Sequence, residues 1–265
     1  MEKSIWEHIQ SVRKQSPLVH NITNYVVMNN TANALLAIGA SPIMAHAPEE
    51  INEMVKICSA TVINIGTLDE YWVSSMYKAA HTANQMGKPW ILDPVGAGAT
   101  NYRNSVLGKL LELKPWAIRG NASEILSLAN QSKSRTKGVD STAHSSEAID
   151  AAKYLNEKYD SVVCISGETD IITDGKKTIY IHNGHPLMTK VTGLGCSATA
   201  VIGAFLGTVE NKLEAVVAGT ALFSIAGELA EKISSGPGSL QVNLLDTLHT
   251  INEKRFMESI RFEVA

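Results

Sequence analysis

The sequence predicts an α/β protein: a mostly parallel central sheet, helices on both of its faces, and antiparallel strands at one edge. Two observations predict the parallel part. Short apolar runs such as Thr61-Val62-Ile63-Asn64-Ile65, Trp90-Ile91-Leu92 and Val162-Val163-Cys164-Ile165-Ser166 recur along the chain, and helical stretches separate them. Strands that are apolar throughout are buried on both faces, as in parallel sheets covered by helices. A third observation predicts the edge: Ile171-Ile172-Thr173 and Lys177 to His182 flank Asp174-Gly175, a hairpin signal. With 265 residues, 45% of them apolar, the chain can bury a sizeable core. No linker and no internal repeat divides it, so residues 1–265 read as a single domain.

Taken in order, Ile5, Ile9 and Val12 share one helical face, which predicts an amphipathic helix over residues 3–14 that Pro17 ends. Leu18-Val19-His20 is a short strand running into Asn21-Ile22-Thr23-Asn24, and Val26 to Ile38 is a helix closed by Gly39. Ala40 to Ala45, with Pro42, is a short strand, and Pro48-Glu49-Glu50 starts a helix that reaches about Ala60. Thr61 to Ile65 is a strand, Leu68 to Met86 a helix, and Trp90 to Leu92 a strand ended by Asp93-Pro94. Tyr102 to Leu113 is helical, Trp116 to Arg119 a strand, and Asn121 to Leu128 a short helix. Residues 130–143 are polar and read as a loop. Ser145 to Tyr159 follows as a helix with Ala148, Ala151, Ala152 and Leu155 inward. After the strand at 162–166 and the hairpin come helices near 197–208 and 212–233, the turn Gly236-Pro237-Gly238, and a last helix near 242–256.

Composition excludes several roles. The net charge is −3 with no dense Lys/Arg block, which argues against a nucleic-acid surface. Cys58, Cys164 and Cys196 are scattered, with neither a CxxC pair nor a metal-finger spacing, which suits a reducing cytoplasm. The N-terminal Met1 to Ile9 is charged and amphipathic, unlike a signal peptide. The most apolar stretches, 198–206 and 215–226, read as buried helices too short or too interrupted for a bilayer, which needs about 20 residues. The expectation is a soluble cytoplasmic protein without membrane attachment.

The stretch richest in chemistry is Lys190 to Ala200, with Val191-Thr192-Gly193-Leu194-Gly195-Cys196 at its centre. Two glycines spaced by one residue let the backbone come close to a ligand. A glycine turn that opens a helix points unpaired N–H groups and a positive dipole end at one spot, which suits phosphate. Cys196 sits where the helix begins. The same residues also describe an ordinary helix cap with a small buried cysteine.

Ligands of parallel sheets sit at the carboxyl ends of strands, and four such ends carry polar residues: Asn21 to Asn24, Asp93 to Gly98, Arg119 to Glu124, and Ser166-Gly167-Glu168. Asp93 and Glu124 are hard oxygen donors that suit Mg²⁺ through water and substrate phosphates. The Arg119 fork matches phosphate oxygens. Each has a plainer reading. Asp93 before Pro94 starts a turn, Asn121 and Glu124 form a capping-box variant, and Arg119 pairs with a surface acid. Their common rim favours a site over four coincidences.

Asn121-Ala122-Ser123-Glu124 and the late glycine turn resemble motifs of the ribokinase-like superfamily of small-molecule kinases. Within it, His20-Asn21-Ile22-Thr23-Asn24, Gly39 to Met44, Asp93 to Gly98, Arg119 to Glu124, Val191 to Cys196 and Ser235 to Ser239 together resemble the hydroxyethylthiazole kinase family, in order over residues 18–240. The resemblance implies a three-layer αβα fold. It implies ATP-dependent phosphorylation of the hydroxyl of 4-methyl-5-(2-hydroxyethyl)thiazole, with Mg²⁺, in thiamine salvage. It also implies a homotrimer with active sites between subunits, for which the exposed N-terminal third is the expected contact.

Carried over by position, Asn24, Val26, Met44 and Gly193 would line the thiazole pocket. Arg119, Asn121 and Ser166 would contact ATP, Asp93 and Glu124 would hold Mg²⁺ and its waters, and Gly193, Gly195 and Cys196 would form the catalytic turn. Two residues depart from the superfamily pattern. Cys196 stands where the superfamily usually has the aspartate presumed to be the base, as is typical of the thiazole kinases, and Ser166 stands where many members have threonine. A helix N-terminus lowers a thiol pKa, so Cys196 is either the acceptor of the alcohol's proton or only a wall of the pocket. Rival readings are a hydrolase whose Cys196 is activated by His182 or His185, a non-catalytic thiazole- or nucleotide-binding regulator, and a hydroxymethylpyrimidine kinase.

Overall fold

The structure, a computed structural model, describes residues 2–133 and 146–265. The predicted loop residues 134–143 lie outside the described residues. One sheet runs in the order β2-β1-β3-β4-β5-β6-β7-β8-β9. Its strands are β1 Leu18–Ile22, β2 Ser41–Ile43, β3 Ala60–Asn64, β4 Trp90–Asp93, β5 Ala117–Asn121, β6 Val162–Ser166, β7 Asp170–Thr173, β8 Thr178–Ile181 and β9 Phe262–Val264. The strands from β2 to β6 pair in parallel. The hairpin β7–β8 and the added β9 pair antiparallel. This is the predicted parallel sheet with an antiparallel edge.

Side chains alternate across a strand, and here both sides are apolar. Val62, Ile91, Ala117 and Cys164 enter one hydrophobic cluster. Their chain neighbours Ile63, Leu92, Ile118 and Val163 enter the other. The first cluster is covered by α1 (Glu2–Gln15), α2 (Met28–Ala37), α8 (Leu194–Leu206), α9 (Lys212–Glu231), α10 (Pro237–Thr250) and α11 (Glu253–Ser259). The second is covered by α3 (Ile51–Ile57), α4 (Glu70–Gln85), α5 (Asn101–Glu112), α6 (Ala122–Lys133) and α7 (Ser146–Tyr159). The result is three layers, helices–sheet–helices. Ile91 and Leu92 are fully buried, so truncating either to Ala removes about 2–5 kcal/mol.

Several boundaries differ from expectation. Residues 130–133 continue α6 rather than opening a loop. The strand expected to end at Arg119 runs on through Asn121, which closes β5 instead of opening the following helix. The Pro48–Ala60 helix is shorter, Ile51–Ile57, because Ala60 already pairs with Val19 in the sheet. The expected helix at 242–256 is two helices. The first begins at Pro237, where the Ser239 hydroxyl accepts from Gly236 N (3.2 Å) and Ser235 N (2.9 Å). The second is capped by Asn252, which accepts from Arg255 N at 3.0 Å. The three-residue β9 went unseen in the sequence. Helix α9 has 20 residues, long and apolar enough to cross a membrane by length and composition, contrary to the sequence reading; 83% of its apolar window is buried inside the protein, as a core helix is.

Candidate active site

The parallel register brings the predicted strand ends to one rim. Asn64 lies level with Asp93, and Asn121 level with Ser166. Above them sits the glycine turn. Gly193 caps α8 with φ +81°, a left-handed conformation that favours glycine. A Cβ there would also stand 2.5 Å from Val27 Cγ1. The first helical bond is Ser197 N to Gly193 O, 2.9 Å. The amides of Leu194, Gly195 and Cys196 therefore precede the helical ladder and point out of the positive end of a 13-residue helix.

Asp93 is buried at the tip of β4. Its Oδ2 accepts from Asn64 Nδ2 at 2.7 Å and from Thr199 Oγ1 at 2.9 Å. Burial pushes the carboxyl up to about 6, against the pull of the nearby Arg119 guanidinium and the Thr199 and Asn64 hydrogen bonds. Asn64 Oδ1 in turn accepts from Gly66 N and from Asn24 Nδ2, both 2.9 Å. Asn24 Oδ1 accepts from Val26 N at 3.1 Å, and Asn24 Nδ2 also reaches Cys196 Sγ at 3.5 Å.

The capping box predicted at Asn121 is present: Glu124 N donates to Asn121 Oδ1 (2.9 Å) and Asn121 N to Glu124 Oε2 (2.8 Å). The other oxygen of Glu124 accepts from Gly96 N at 2.9 Å. Glu124 thus ties the loop after β4 to β5, and its charge adds to the upward push on Asp93. Arg119 joins no acid among the described residues. Its Nη1 donates to Gly195 O at 3.0 Å, linking β5 to the glycine turn.

Cys196 departs from expectation. Burial, then the charge of Asp93, push its thiol up to about 11, and the bonds from Asn64 and Asn24 and the Arg119 charge only partly oppose this. The histidines of the hydrolase reading are engaged elsewhere: His182 lies 3.5 Å from Glu263, His185 3.6 Å from Glu231.

Val26 joins this group through its backbone N–H. Val26 is 61% exposed. Met44 is half-buried just past the edge strand β2, whose Ile43 lies level with His20. The sequence reading missed Asn64 and Thr199. Asn64 is a single polar residue closing an apolar strand, and Gly66 after it was the available signal. Thr199 lies within the apolar run of α8 and carried none.

A mixed sheet between two helical layers, with a glycine-capped helix bonded to Asp93 at the tip of β4 and to β5 through Arg119, is the arrangement of the ribokinase-like small-molecule kinases. The same fold appears in a ribokinase-like superfamily protein from Enterococcus faecalis V583 (TM-score 0.65, 12% identity, 94% of each chain). It appears also in a pyridoxal kinase from Staphylococcus aureus in complex with AMP-PCP and pyridoxal (TM-score 0.65, 15% identity, 94% of this chain and 98% of that one). The hydroxyethylthiazole kinase family model matches residues 9–254, and the chain belongs to that family. A hydroxyethylthiazole kinase from Syntrophus aciditrophicus is 53% identical over 98% of this chain and 96% of its own. The structure of a hydroxyethylthiazole kinase protein from Pyrococcus horikoshii OT3 superposes with TM-score 0.92 at 42% identity, covering 99% of both chains.

Proposed function

We propose that the protein transfers the γ-phosphoryl group of ATP to the primary hydroxyl of 4-methyl-5-(2-hydroxyethyl)thiazole, a thiamine-salvage reaction carried out in the cytoplasm. The observation that carries this reading is the Gly193-capped start of α8, joined to the carboxylate at the tip of β4 through Thr199 and Asp93, and to β5 through Arg119.

The residues fit a divalent ion held jointly with phosphates. Their donors are carboxylate oxygens, as Mg²⁺ prefers. Among the described residues no cluster of three or more His, Cys, Asp or Glu side chains could hold a metal alone. Asp93 is buried without an ion-pair partner among the described residues. Glu124, both oxygens already engaged by backbone N–H groups, suits the ion's water shell. When bound, Mg²⁺ offsets phosphate charge during transfer.

The protein's own groups do the positioning. The amides at Gly193 to Cys196 receive the transferring phosphoryl group, as an anion hole does. Arg119, Asn121 and Ser166 hold the nucleotide. Asn24, Val26 and Met44 hold the thiazole, with Met44 as a polarisable wall against a sulfur-containing ring. Cys196 acts as a neutral thiol that shapes the pocket. A homotrimer with sites between subunits is supported by the outward set of this pocket in one chain: Val26 is 61% and Tyr25 65% exposed, beside the half-buried edge strand β2.

The test is coupled ADP release with the thiazole alcohol against a panel of alcohols that includes hydroxymethylpyrimidine and pyridoxal. The expected outcome is the highest kcat/KM with the thiazole alcohol and none without divalent metal. Preference for another alcohol overturns the substrate assignment.

A further inference from the structure

Asn64 is 1% exposed, belongs to no motif of the resemblance, and makes three hydrogen bonds through one amide. Its orientation is settled by a backbone donor. Gly66 N–H can only give, so the atom it meets at 2.9 Å is the amide oxygen. The other end, Nδ2, must then donate to Asp93 Oδ2 at 2.7 Å. The same reasoning orients Asn24, whose oxygen faces Val26 N, so that its two N–H bonds run to Asn64 Oδ1 and Cys196 Sγ. Gly66 closes tightly on this pair: a Cβ there would lie 2.6 Å from Asn24 Nδ2.

Two backbone amides thus direct two side-chain amides, and these end on the carboxylate and the sulfur. Asp93 Oδ2 receives both Asn64 and Thr199. Its lone pairs are taken, which leaves Oδ1 as the oxygen to present to the reaction.

Resting on the kinase reading above, we propose that Asn64 is a positioning residue for phosphoryl transfer. It acts through Asp93 by fixing which carboxylate oxygen is offered, and it ties that orientation to Asn24 and Cys196. Residues that orient ligating or catalytic carboxylates change activity by about 10- to 100-fold when lost.

Two substitutions separate this role from space filling. Asn64→Ala removes the donor. Asn64→Asp keeps the shape but turns an acceptor oxygen toward Asp93 at the 2.7 Å contact. The expected result for Asn64→Ala is a kcat lower by about 30-fold, with KM for ATP and for the thiazole alcohol within about threefold. Asn64→Asp is expected to have a lower kcat still, and to melt below Asn64→Ala at pH 8 in a metal-free thermal scan. An Asn64→Asp milder than Asn64→Ala in both readouts is what an isosteric filler gives, and it overturns the proposal. A raised KM with unchanged kcat also overturns it. A wild type with no turnover on the thiazole alcohol retires the kinase reading and the positioning role together, while the melting order still reads the Asn64–Asp93 contact by itself.

Discussion

Asp93, at the tip of β4, and Glu228, near the C-terminal end of α9, are wholly and partly buried carboxylates that the protein treats in opposite ways. Glu228, on α9, accepts from Arg261 Nη1 (3.0 Å) and Nη2 (2.8 Å), from Asn183 Nδ2 (3.0 Å) and from Gly184 N (3.4 Å). Burial pulls its pKa upward, but these donors outweigh it and hold the carboxyl below its usual range. The cluster clamps β9 to the fold, since Arg261 N also donates to Asn183 Oδ1. Asp93 has only neutral donors, and burial leaves it at about 6. One carboxylate is matched to a cation and serves the fold. The other makes no ion pair among the described residues, and burial outweighs the pull of the nearby Arg119, as at a site that would bind a cation under the proposed function.

Asp93→Asn tests this contrast most severely. It keeps the shape and the acceptor for Asn64 and Thr199 but removes the charge. The expected loss in kcat/KM is about 1,000-fold. Stability should move the other way. A carboxyl whose folded pKa is raised, to about 6, binds its proton more tightly in the native state. It therefore destabilises the metal-free fold above that value, and the penalty fades as pH falls from about 6 toward the unfolded value of about 4. Metal-free Asp93→Asn should melt above wild type at pH 8 and level with it near pH 4. A variant that melts lower at pH 8 breaks the comparison.

Arg119→Ala comes next. Loss of one charge-assisted bond corresponds to about a tenfold rise in KM for ATP with a smaller change in kcat. An unchanged KM removes Arg119 from the nucleotide site and leaves only its bond to Gly195 O. Glu228→Gln is the opposite control. Turnover should stay within about twofold, and stability in denaturant at pH 7 should drop by about 1 kcal/mol, because a partly exposed pair is screened by solvent. The Glu228 pKa is lowered, so its contribution is complete above the unfolded value of about 4.5 and is lost as pH falls through the folded value. The difference between Glu228→Gln and wild type should vanish in strong acid. Loss of turnover in Glu228→Gln would mean the two carboxylates are coupled.

Much of this contrast could be read in advance, and part could not. Asp93 was visible because an acid closing an apolar strand before Pro94 stands out against its surroundings. The β-branched runs exposed the parallel sheet for the same reason: only a strand buried on both faces tolerates such composition. Glu124 was visible as a cap because an acid three residues after Asn121 fits a capping box, and the geometry keeps that reading, with its second oxygen accepting from Gly96 N. Asn64 and Thr199 were invisible, since their meaning lies in the register that sets Asn64 beside Asp93. The Glu228 clamp was invisible too. Its partners Asn183 and Arg261 are 45 and 33 residues away, and β9 is three residues of ordinary composition.

Cys196 offers the mildest and most discriminating substitution. A general base contributes about 100- to 10,000-fold, so Cys196→Ala separates a base from a wall. With the thiol pushed up to about 11, the thiolate fraction near pH 7.5 is negligible and the base role has no populated form. Cys196→Ala should therefore retain kcat within about tenfold of wild type, below the smallest loss expected for a base. Cys196→Asp asks the reverse question. An acid at 196 would share the buried neighbourhood that already raises Asp93, and a carboxyl raised in this way approaches the operating pH where bases work best. Its kcat should equal or exceed that of wild type. A folded but inactive Cys196→Asp would show that the position needs a neutral group, and the contrast with Asp93 would then narrow to a single charge that this site tolerates.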